Sequence, residues 1–251
     1  GRDQNGIGRA DKSNTRSWLW ENTANYATHF GDHNMSFLVG SSFQQLQWSD
    51  SYTQGNDFPE DVSVKTINAA NNVFGNTTAE AWALASFFGR VTYDYQSKYL
   101  LTATLRRDGS SKLAEHWGTM PSFSAGWRIS AEPFMENIEA IYDLKLRAGW
   151  GKNGNQEGIP NYARYGLISY YRTAQTNPLS GPAGVQTTYG NPDLRWETTA
   201  QSNVGIDLSM WKGRVNFNAD AYIKTTDDVI LNVQLSNSLP ITSIQTNAGK
   251  I

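Results

Sequence analysis

Few side chains in this sequence have the types and the spacing that chemistry requires. His29 and His33 are four residues apart, a spacing that binds a metal ion when both side chains lie on one face of a helix. Gly31 and Asp32 stand between them and predict a hairpin turn, where histidines are more often polar turn residues than ligands. His116 has no companion of this kind. We therefore expect no metal site.

Adjacent carboxylates occur at Glu60-Asp61 and at Asp227-Asp228. A glycosidase needs two carboxyl groups that face each other across a gap of about 5 to 10 Å, whereas neighbouring side chains on a strand point to opposite faces. The sequence also fails to bring a nucleophile, a base and an orienting group into one motif. These observations predict a protein that is not an enzyme and needs no cofactor.

The best candidates for ligand binding lie in the aromatic, polar stretch 152–195. Tyrosine rings and an arginine can stack on sugar rings or grip a peptide. They can equally pack the stretch on itself or on a partner protein, and the sequence leaves both interpretations open. The candidate substrate-binding residues are Tyr162, Tyr165, Tyr170, Tyr171, Arg172 and Tyr189.

The composition limits the class of protein. Of 251 residues, 39% are hydrophobic and only 18% are charged, aromatic residues make up 12%, and there is no cysteine. Abundant aromatic and uncharged polar residues suit a membrane interface or a wet interior. A net charge of −2 argues against a nucleic-acid partner. Nothing approaches the run of about 20 apolar residues that a membrane helix needs.

Alternation is the main structural signal, because apolar and polar residues exchange places at every second position over about eight segments of ten or more residues. This pattern predicts antiparallel strands with one apolar and one polar face. The predicted polar face contains Thr104, Arg106, Lys145, Arg147, Glu197, Gln201, Asn203 and Asp207; the predicted apolar face contains Trp18, Tyr26, Tyr99, Trp127, Trp150, Trp196, Ile206, Leu208 and Phe217.

The connections between these segments alternate in length. Short ones (31–34, 96–98 and 211–214) are followed by long polar ones (49–80, 107–116 and 152–195). Outer-membrane barrels have tight periplasmic turns and long external loops, whereas sandwiches have no reason for such a parity. We therefore predict an all-β, antiparallel, up-and-down transmembrane β-barrel. Residues 1–251 form part of one such domain, with the apolar face toward lipid, the polar face toward the lumen, and long external loops at about 49–80 and 152–195.

Several motifs together resemble one family, the SusC/RagA-type TonB-dependent transporters, in the C-terminal region of their barrel. The resemblance covers most of the chain from about Trp18 onward. The motifs that carry it are the segments Phe88–Tyr95 and Lys98–Ala103, Leu105–Ser111 and Pro121–Ser130, Asp143–Gly151 with Gly154–Gln156, and Asn191–Thr199.

The resemblance implies a 22-stranded barrel with an N-terminal plug, in the outer membrane of a Bacteroidetes-like Gram-negative bacterium. It further implies energy from the TonB-ExbB-ExbD system, a SusD-like surface lipoprotein as partner, contact with membrane lipid and lipopolysaccharide, and import of a glycan, an oligosaccharide or a peptide. The sequence contains no plug, signal peptide or TonB box and ends in Ile251 rather than an aromatic residue. We therefore expect it to be incomplete at both ends.

Two other functions remain open at this stage. One is a soluble or surface-exposed all-β carbohydrate-binding module; the other is a small passive barrel or an adhesin. The first would place Ile206, Leu208 and Phe217 in a dry core between two stacked sheets.

Overall fold

The computed structural model describes residues 6–60, 66–171 and 183–251. Three single-turn 3₁₀ helices occur at Ile67–Ala69, Ile129–Ala131 and Pro133–Met135. Within the described ranges, no helix has the length and the apolar character to cross a membrane. The strands are β1 (Ile7–Phe30), β2 (His33–Asn56), β3 (Asn72–Tyr95), β4 (Tyr99–Ser110), β5 (Trp117–Arg128), β6 (Ile141–Asn155), β7 (Leu167–Tyr171), β8 (Ala183–Thr188), β9 (Glu197–Met210), β10 (Val215–Gln234) and β11 (Ser243–Lys250).

The strands form a nine-stranded sheet in the order β1-β2-β3-β4-β5-β6-β9-β10-β11 and a separate hairpin of β7 and β8. Strands that follow one another in the chain pair as neighbours, and β6 pairs with β9 because β7 and β8 pair with each other. The pairings from β3 to β6, between β6 and β9, and from β9 to β11 are antiparallel. This is the up-and-down order that the alternation of the sequence predicts.

The chain divides into two compact units. The first contains Gly1–Leu19 and Gln44–Ala83, and the second contains Trp20–Phe43 and Leu84–Ile251. In the first unit, the Trp18 indole donates to Gln45 (3.0 Å) and the Trp48 indole donates to Ser13 (3.1 Å), so side chains tie β1 to β2.

The second unit carries an apolar face that no second sheet of the described chain covers. Register places Phe217 opposite Leu208, and Leu208 opposite Leu144. Phe217 is 54% exposed, and Val204 is also largely exposed. A soluble sandwich would bury both. We define the apolar face as Leu101, Leu105, Phe123, Trp127, Leu146, Trp150, Val204, Ile206, Leu208 and Phe217.

The turns at one end of the sheet are tight. Positive φ angles occur in each of them, as in the two-residue hairpin turns whose twist matches that of the strands. The residues are Gly31, Gln96, Ser97, Trp211, Lys212 and Gly213. These turns fall where the sequence predicts short connections, at 31–34, 96–98 and 211–214.

The connections at the other end are shorter than predicted because the strands are longer. β2 ends at Asn56 and β3 begins at Asn72, so the connection predicted at 49–80 covers residues 57–71. The stretch predicted as a loop at 152–195 contains the end of β6 and the β7–β8 hairpin. The strands β1, β2 and β3 have 24 residues each. Polar residues dominate the first half of β1, so hydrophobic alternation does not reveal that part of the strand.

Residues from β5 and from the β4–β5 and β6–β9 connections form a buried apolar cluster at one end of the central strands. We call it the loop core: Leu113, Met120, Ile159, Leu194 and Trp196. Trp196 is 6% exposed, so its predicted place on the exposed apolar face is wrong. The pairing of β9 begins at Glu197, and Trp196 therefore lies past the wall of strands. Its ring packs where a Cβ on Gly118 or Gly154 would stand.

Candidate functional site

The polar face of the second unit brings together the polar residues that alternation predicts. Register aligns Thr104 with Ser122, Ser122 with Gly151, and Gly151 with Gln201. The same register sets Lys145 opposite Asp207. Because side chains alternate along each strand, Arg106, Arg147, Glu197 and Asn203 fall on this face as well.

An ion cluster crosses three strands at the centre of the polar face. The guanidinium of Arg147 on β6 donates to Asp207 on β9 (2.7 and 3.0 Å) and to Asp220 on β10 (3.0 Å). Gly205 is the β9 residue paired with both Arg147 and Asp220. A Cβ at Gly205 would approach both the Arg147 guanidinium and the Asp220 carboxylate. The absence of a side chain at Gly205 therefore lets one arginine reach over β9 and bond two carboxylates.

A polar depression of 670 Å³ lies beside this cluster. Its lining includes Gly126, Gly149 and Gly151 together with Lys145 and Arg147. Ligand pockets commonly have volumes of about 300 to 1,000 Å³. Asp207 and Asp220 already pair with Arg147. The lining therefore offers Lys145 with several amide and hydroxyl groups, which suit a polar solute or an extended chain with many carbonyl groups.

Near the outer end of the same face, Arg106 is held in place by several neighbours. Its Nε donates to Asp108 (2.8 Å), its Nη2 donates to Ser86 (3.0 Å), and its guanidinium lies 5.6 Å from the ring centroid of Phe88. Such a residue contributes a fixed positive charge rather than a mobile one.

The segment 191–197 fastens the loop core to the sheet. Asn191 is buried; its Nδ2 donates to the backbone oxygen of Gln245 (2.8 Å) and its Oδ1 accepts from the backbone N–H of Asp193 (2.9 Å). The backbone oxygen of Leu194 accepts from two N–H groups in the β4–β5 connection. The Trp196 indole donates to the His116 oxygen (2.9 Å). The segment 191–197 thus joins the β4–β5 connection to β11.

Arg195 and Glu197 of this segment, together with Asn247, stabilise an irregularity in β10. Asp228 has positive φ and the register between β10 and β11 shifts beside it. Arg195 pairs with the Asp228 carboxylate (2.6 Å), Asn247 donates to the Asp228 oxygen (2.8 Å), and Glu197 accepts from the N–H of Ile230 (3.1 Å). Side chains therefore supply the partners that the interrupted ladder lacks.

The predicted substrate-binding tyrosines are only partly brought together. Tyr165 carries the Arg164 guanidinium over its ring at 4.4 Å, and Arg164 also contacts His116 (2.9 Å). Tyr170 on β7 is 71% exposed. Tyr162 lies one turn before Tyr165, whose N–H donates to the Tyr162 oxygen (2.8 Å).

Tyr189 precedes Gly190, where a Cβ would collide with the backbone of residues 164–166. This close approach brings Tyr189 near the segment of Tyr162 and Tyr165. Arg172 lies outside the described residues, and so does the side chain of Tyr171. The role of all six in substrate binding stays a prediction.

The short-turn end has a polar anchor that sequence reasoning missed. The buried carboxylate of Glu132 accepts from the Tyr99 hydroxyl (2.6 Å) and the Trp127 indole (3.0 Å), and Lys98 lies 3.6 Å away. The hydrogen bond from Tyr99, followed by that from Trp127, holds the pKa of Glu132 below its ordinary value. The sequence signal for this anchor was an acidic residue directly before Pro133, in a connection between two strands whose ends are aromatic.

The remaining candidate metal ligands and catalytic groups lie apart from one another. His33 stacks between Phe30 and Tyr95 and bonds the Tyr93 hydroxyl through Nδ1 (2.8 Å). His29 precedes Phe30 and therefore points to the opposite face of β1. Asp227 pairs with Lys250 (2.9 Å), whereas Asp228 pairs with Arg195. Among the described residues, no three His, Cys, Asp or Glu side chains group as metal ligands; Asp61 lies outside those residues.

Comparison with known proteins decides the family. The profile described as "TonB dependent receptor-like, beta-barrel" matches residues 1–251. This chain belongs to the TonB-dependent receptor β-barrel family. The chain is 40% identical over 239 residues to TonB-dependent receptor P39 of Formosa agariphila, covering 92% of this chain and 22% of that protein. It is 32% identical over 235 residues to TonB-dependent receptor SusC of Bacteroides thetaiotaomicron, covering 84% and 21%.

A solved structure supports the same fold. The chain superposes on the structure of the RagAB peptide transporter with a TM-score of 0.87 at 22% identity, covering 96% of this chain and 27% of that chain. The predicted all-β, antiparallel partial barrel, the resemblance to SusC and RagA, and the outer-membrane location are thus confirmed. The chain spans only about a fifth of the length of the curated relatives it matches.

Proposed function

We propose that this chain is part of the barrel wall of an outer-membrane importer that carries a glycan, an oligosaccharide or a peptide into the periplasm. The observation that carries the proposal is the division of one sheet into an exposed apolar face and a charged polar face with the Arg147–Asp207–Asp220 cluster. In a transmembrane barrel, such a sheet turns its apolar face to lipid and its polar face to the lumen.

The energy source and the partner follow from the relatives. The relatives are named as TonB-dependent receptors, which supports energisation by the TonB-ExbB-ExbD system through a part of the protein other than this chain. The likeness to SusC and RagAB supports a SusD-like lipoprotein as the partner at the cell surface. The relatives are receptors and transporters rather than enzymes, and the absence of a catalytic role is part of the proposal.

Substrate contact is assigned to the tyrosines of the β6–β9 connection, chiefly Tyr165 and Tyr170. Both present aromatic area to solvent, and Tyr165 has an arginine fixed over its ring. Aromatic faces beside hydrogen-bonding groups bind both sugars and peptides. Tyr162 and Tyr189 neighbour them, and Tyr171 and Arg172 complete the proposed set.

The test uses the full-length receptor with its lipoprotein, titrated calorimetrically with oligosaccharides in one series and peptides in another. Tyr170→Ala should weaken the binding of one class by about 10-fold, consistent with the loss of an exposed aromatic contact. Tyr26→Ala is the matched control, because Tyr26 is similarly exposed (65%) but belongs to the predicted lipid-facing set. Equal losses in both variants would contradict the assignment of the tyrosines.

Transport is measured separately, as uptake of the bound class by cells that carry or lack the gene. Uptake should require the gene and should stop when an uncoupler removes the proton-motive force. Uptake that survives the uncoupler indicates a passive pore and contradicts the proposal of TonB dependence.

A further inference from the structure

The apolar face is not uniformly filled, and the gap in it has a definite shape. A depression of 660 Å³ opens on this face, and we call it the trough. Its lining includes the small residues Ala103, Ala125 and Ala148 and the aromatic rings of Tyr93, Phe123 and Trp150. The volume falls within the range of about 300 to 1,000 Å³ that is usual for small-molecule sites.

The trough exists because small side chains meet in adjacent strands. Register pairs Ala125 with Ala148 and with Leu101, and it pairs Phe123 with Trp150. The Phe123 and Trp150 rings stack with centroids 6.1 Å apart. A row of small residues beside a row of stacked rings produces a step in the surface of the sheet.

The chemistry of the lining selects an apolar ligand. Thr102, Ser124 and Asn203 also line the trough, but alternation directs their side chains to the polar face. Ser202, which pairs with Trp150, contributes the one hydroxyl on the apolar side of the lining. The hydroxyl of Tyr93 is engaged by His33 (2.8 Å), so this residue presents only its ring. The lining residues include no charged group. A ligand with a polar head would therefore have to hold that head outside the trough.

The position of the trough in the membrane identifies the source of the ligand. Leu101 and Ala125 are each two residues from Tyr99 and Trp127, which bond Glu132 at the short-turn end. At about 3.3 Å per residue and a strand tilt of about 40°, the trough lies about 5 to 10 Å inside this aromatic boundary. Short turns mark the periplasmic side, and the apolar band is about 25 Å tall. The trough therefore belongs to the periplasmic leaflet, whose lipids are phospholipids.

We propose that the trough is a binding site for one acyl chain of a phospholipid of the periplasmic leaflet. The chain lies over Ala125 and Ala148 against the stacked rings of Phe123 and Trp150, and its headgroup stays at the level of Tyr99 and Trp127. This lipid is held in register with the wall, unlike the lipids that cover the rest of the apolar face. The proposal depends on the family and the membrane location, and not on the imported substrate.

The first experiment counts phospholipid molecules retained by the full-length receptor after purification in mild detergent, by native mass spectrometry. The wild-type protein should retain one phospholipid, and Ala125→Phe, which fills the trough, should reduce its occupancy at least 10-fold. Ala219→Phe is the matched control, since Ala219 is exposed on the same face opposite Ile206 and does not line the trough. Equal retention in all three proteins, or retention of lipopolysaccharide alone, overturns the proposal.

The second experiment locates the chain directly. A phosphatidylethanolamine with a diazirine in its acyl chain is reconstituted with the receptor and photolysed, and the labelled peptides are mapped. Labelling should concentrate on the peptides that contain Phe123 and Trp150, and it should fall in Ala148→Leu, a milder filling variant that serves if Ala125→Phe does not fold. Labelling spread evenly over the apolar face overturns the proposal. Substrate uptake should be unchanged in Ala219→Phe, which separates this result from any failure of the import proposal.

Discussion

Leu194 and Leu105 have the same side chain and opposite surroundings. Leu194 is 0% exposed in the loop core, where protein atoms cover it on every side, whereas Leu105 on the apolar face is 56% exposed within the chain. The loop core is covered by fixed protein groups. In the orientation that we propose, the apolar face is covered by fluid lipid.

This difference decides how each region resists change. Fixed neighbours cannot close around a deleted side chain, so a truncation leaves a cavity with its own energetic cost. Lipid chains move into the space that a truncated side chain leaves on the apolar face, so only the transfer free energy of the deleted carbons is lost. The loop core should therefore be sensitive to small changes of shape, and the apolar face should be tolerant.

The largest expected effect is that of Leu194→Ala, with Leu105→Ala as its matched control. Cavity formation in a core typically costs about 2 to 5 kcal/mol, and this cost falls on the local stability of the β6–β9 connection. Protease cleavage within residues 156–196 of the full-length protein should accelerate at least about 10-fold, since about 1.4 kcal/mol corresponds to a factor of 10. Leu105→Ala should leave the cleavage rate unchanged. Equal rates in both variants would remove the distinction between the two regions.

A smaller effect is expected for Trp196→Phe, which keeps an aromatic ring in the loop core but removes the indole donor to the His116 oxygen. The His116 oxygen keeps its bond from the backbone N–H of Ser110 (3.0 Å), so the variant loses one hydrogen bond, worth about 0.5 to 1.5 kcal/mol. The same cleavage assay should show an acceleration below that of Leu194→Ala. Trp150→Phe is the control, because Trp150 lies on the apolar face, where its ring stacks with Phe123. If Trp150→Phe accelerates cleavage as much, the indole bond is not the cause.

Trp196 also shows where the sequence stopped being informative. Trp196 has an even number, like the apolar-face series Thr198, Ala200, Val204 and Ile206. Alternation therefore predicts that Trp196 also lies on the apolar face. Alternation describes a strand only while the strand lasts, and β9 begins at Glu197. The loop core is built by residues from separate connections, a long-range fact that no local period contains.

The wall itself could be predicted much better. Each of the eight polar-face residues from Thr104 to Asp207 falls on one side of the sheet by register, because period two and short turns fix pairing once one hairpin is set. The side-chain partners could not be predicted in the same way. Nothing in the sequence indicates that Arg147 reaches across Gly205 to Asp220, since that contact joins residues on strands that are not neighbours.

Substitutions in the Arg147 cluster show whether the polar face is as sensitive to mutation as the loop core or as tolerant as the apolar face. Arg147→Met should cost about 0.5 to 1 kcal/mol, the size of a partly exposed ion pair. Gly205→Ala should cost a similar amount, because its Cβ displaces the guanidinium from Asp220. The double variant should cost no more than Arg147→Met alone, since that variant already lacks the contact to Asp220 that Gly205→Ala removes. Denaturant unfolding of the full-length protein in micelles measures all four corners of the cycle, and additive costs would show that Gly205 acts independently of Arg147.

The smallest effect is expected at the short-turn end, where Glu132 joins Tyr99 and Trp127. Because the folded-state pKa of Glu132 lies below its ordinary value, its carboxylate contributes stability that is present above the unfolded pKa, near 4.5. That contribution is lost as the pH falls through the lower folded-state pKa. Glu132→Gln should therefore lower the Tm at pH 7, and the difference from the wild-type Tm should shrink as the pH falls below about 4. Glu136→Gln, an exposed position in the same connection, controls for the general effect of removing one charge. A Tm difference that stays constant from pH 7 to pH 3 would mean that Glu132 anchors the aromatic boundary by shape and not through its charge.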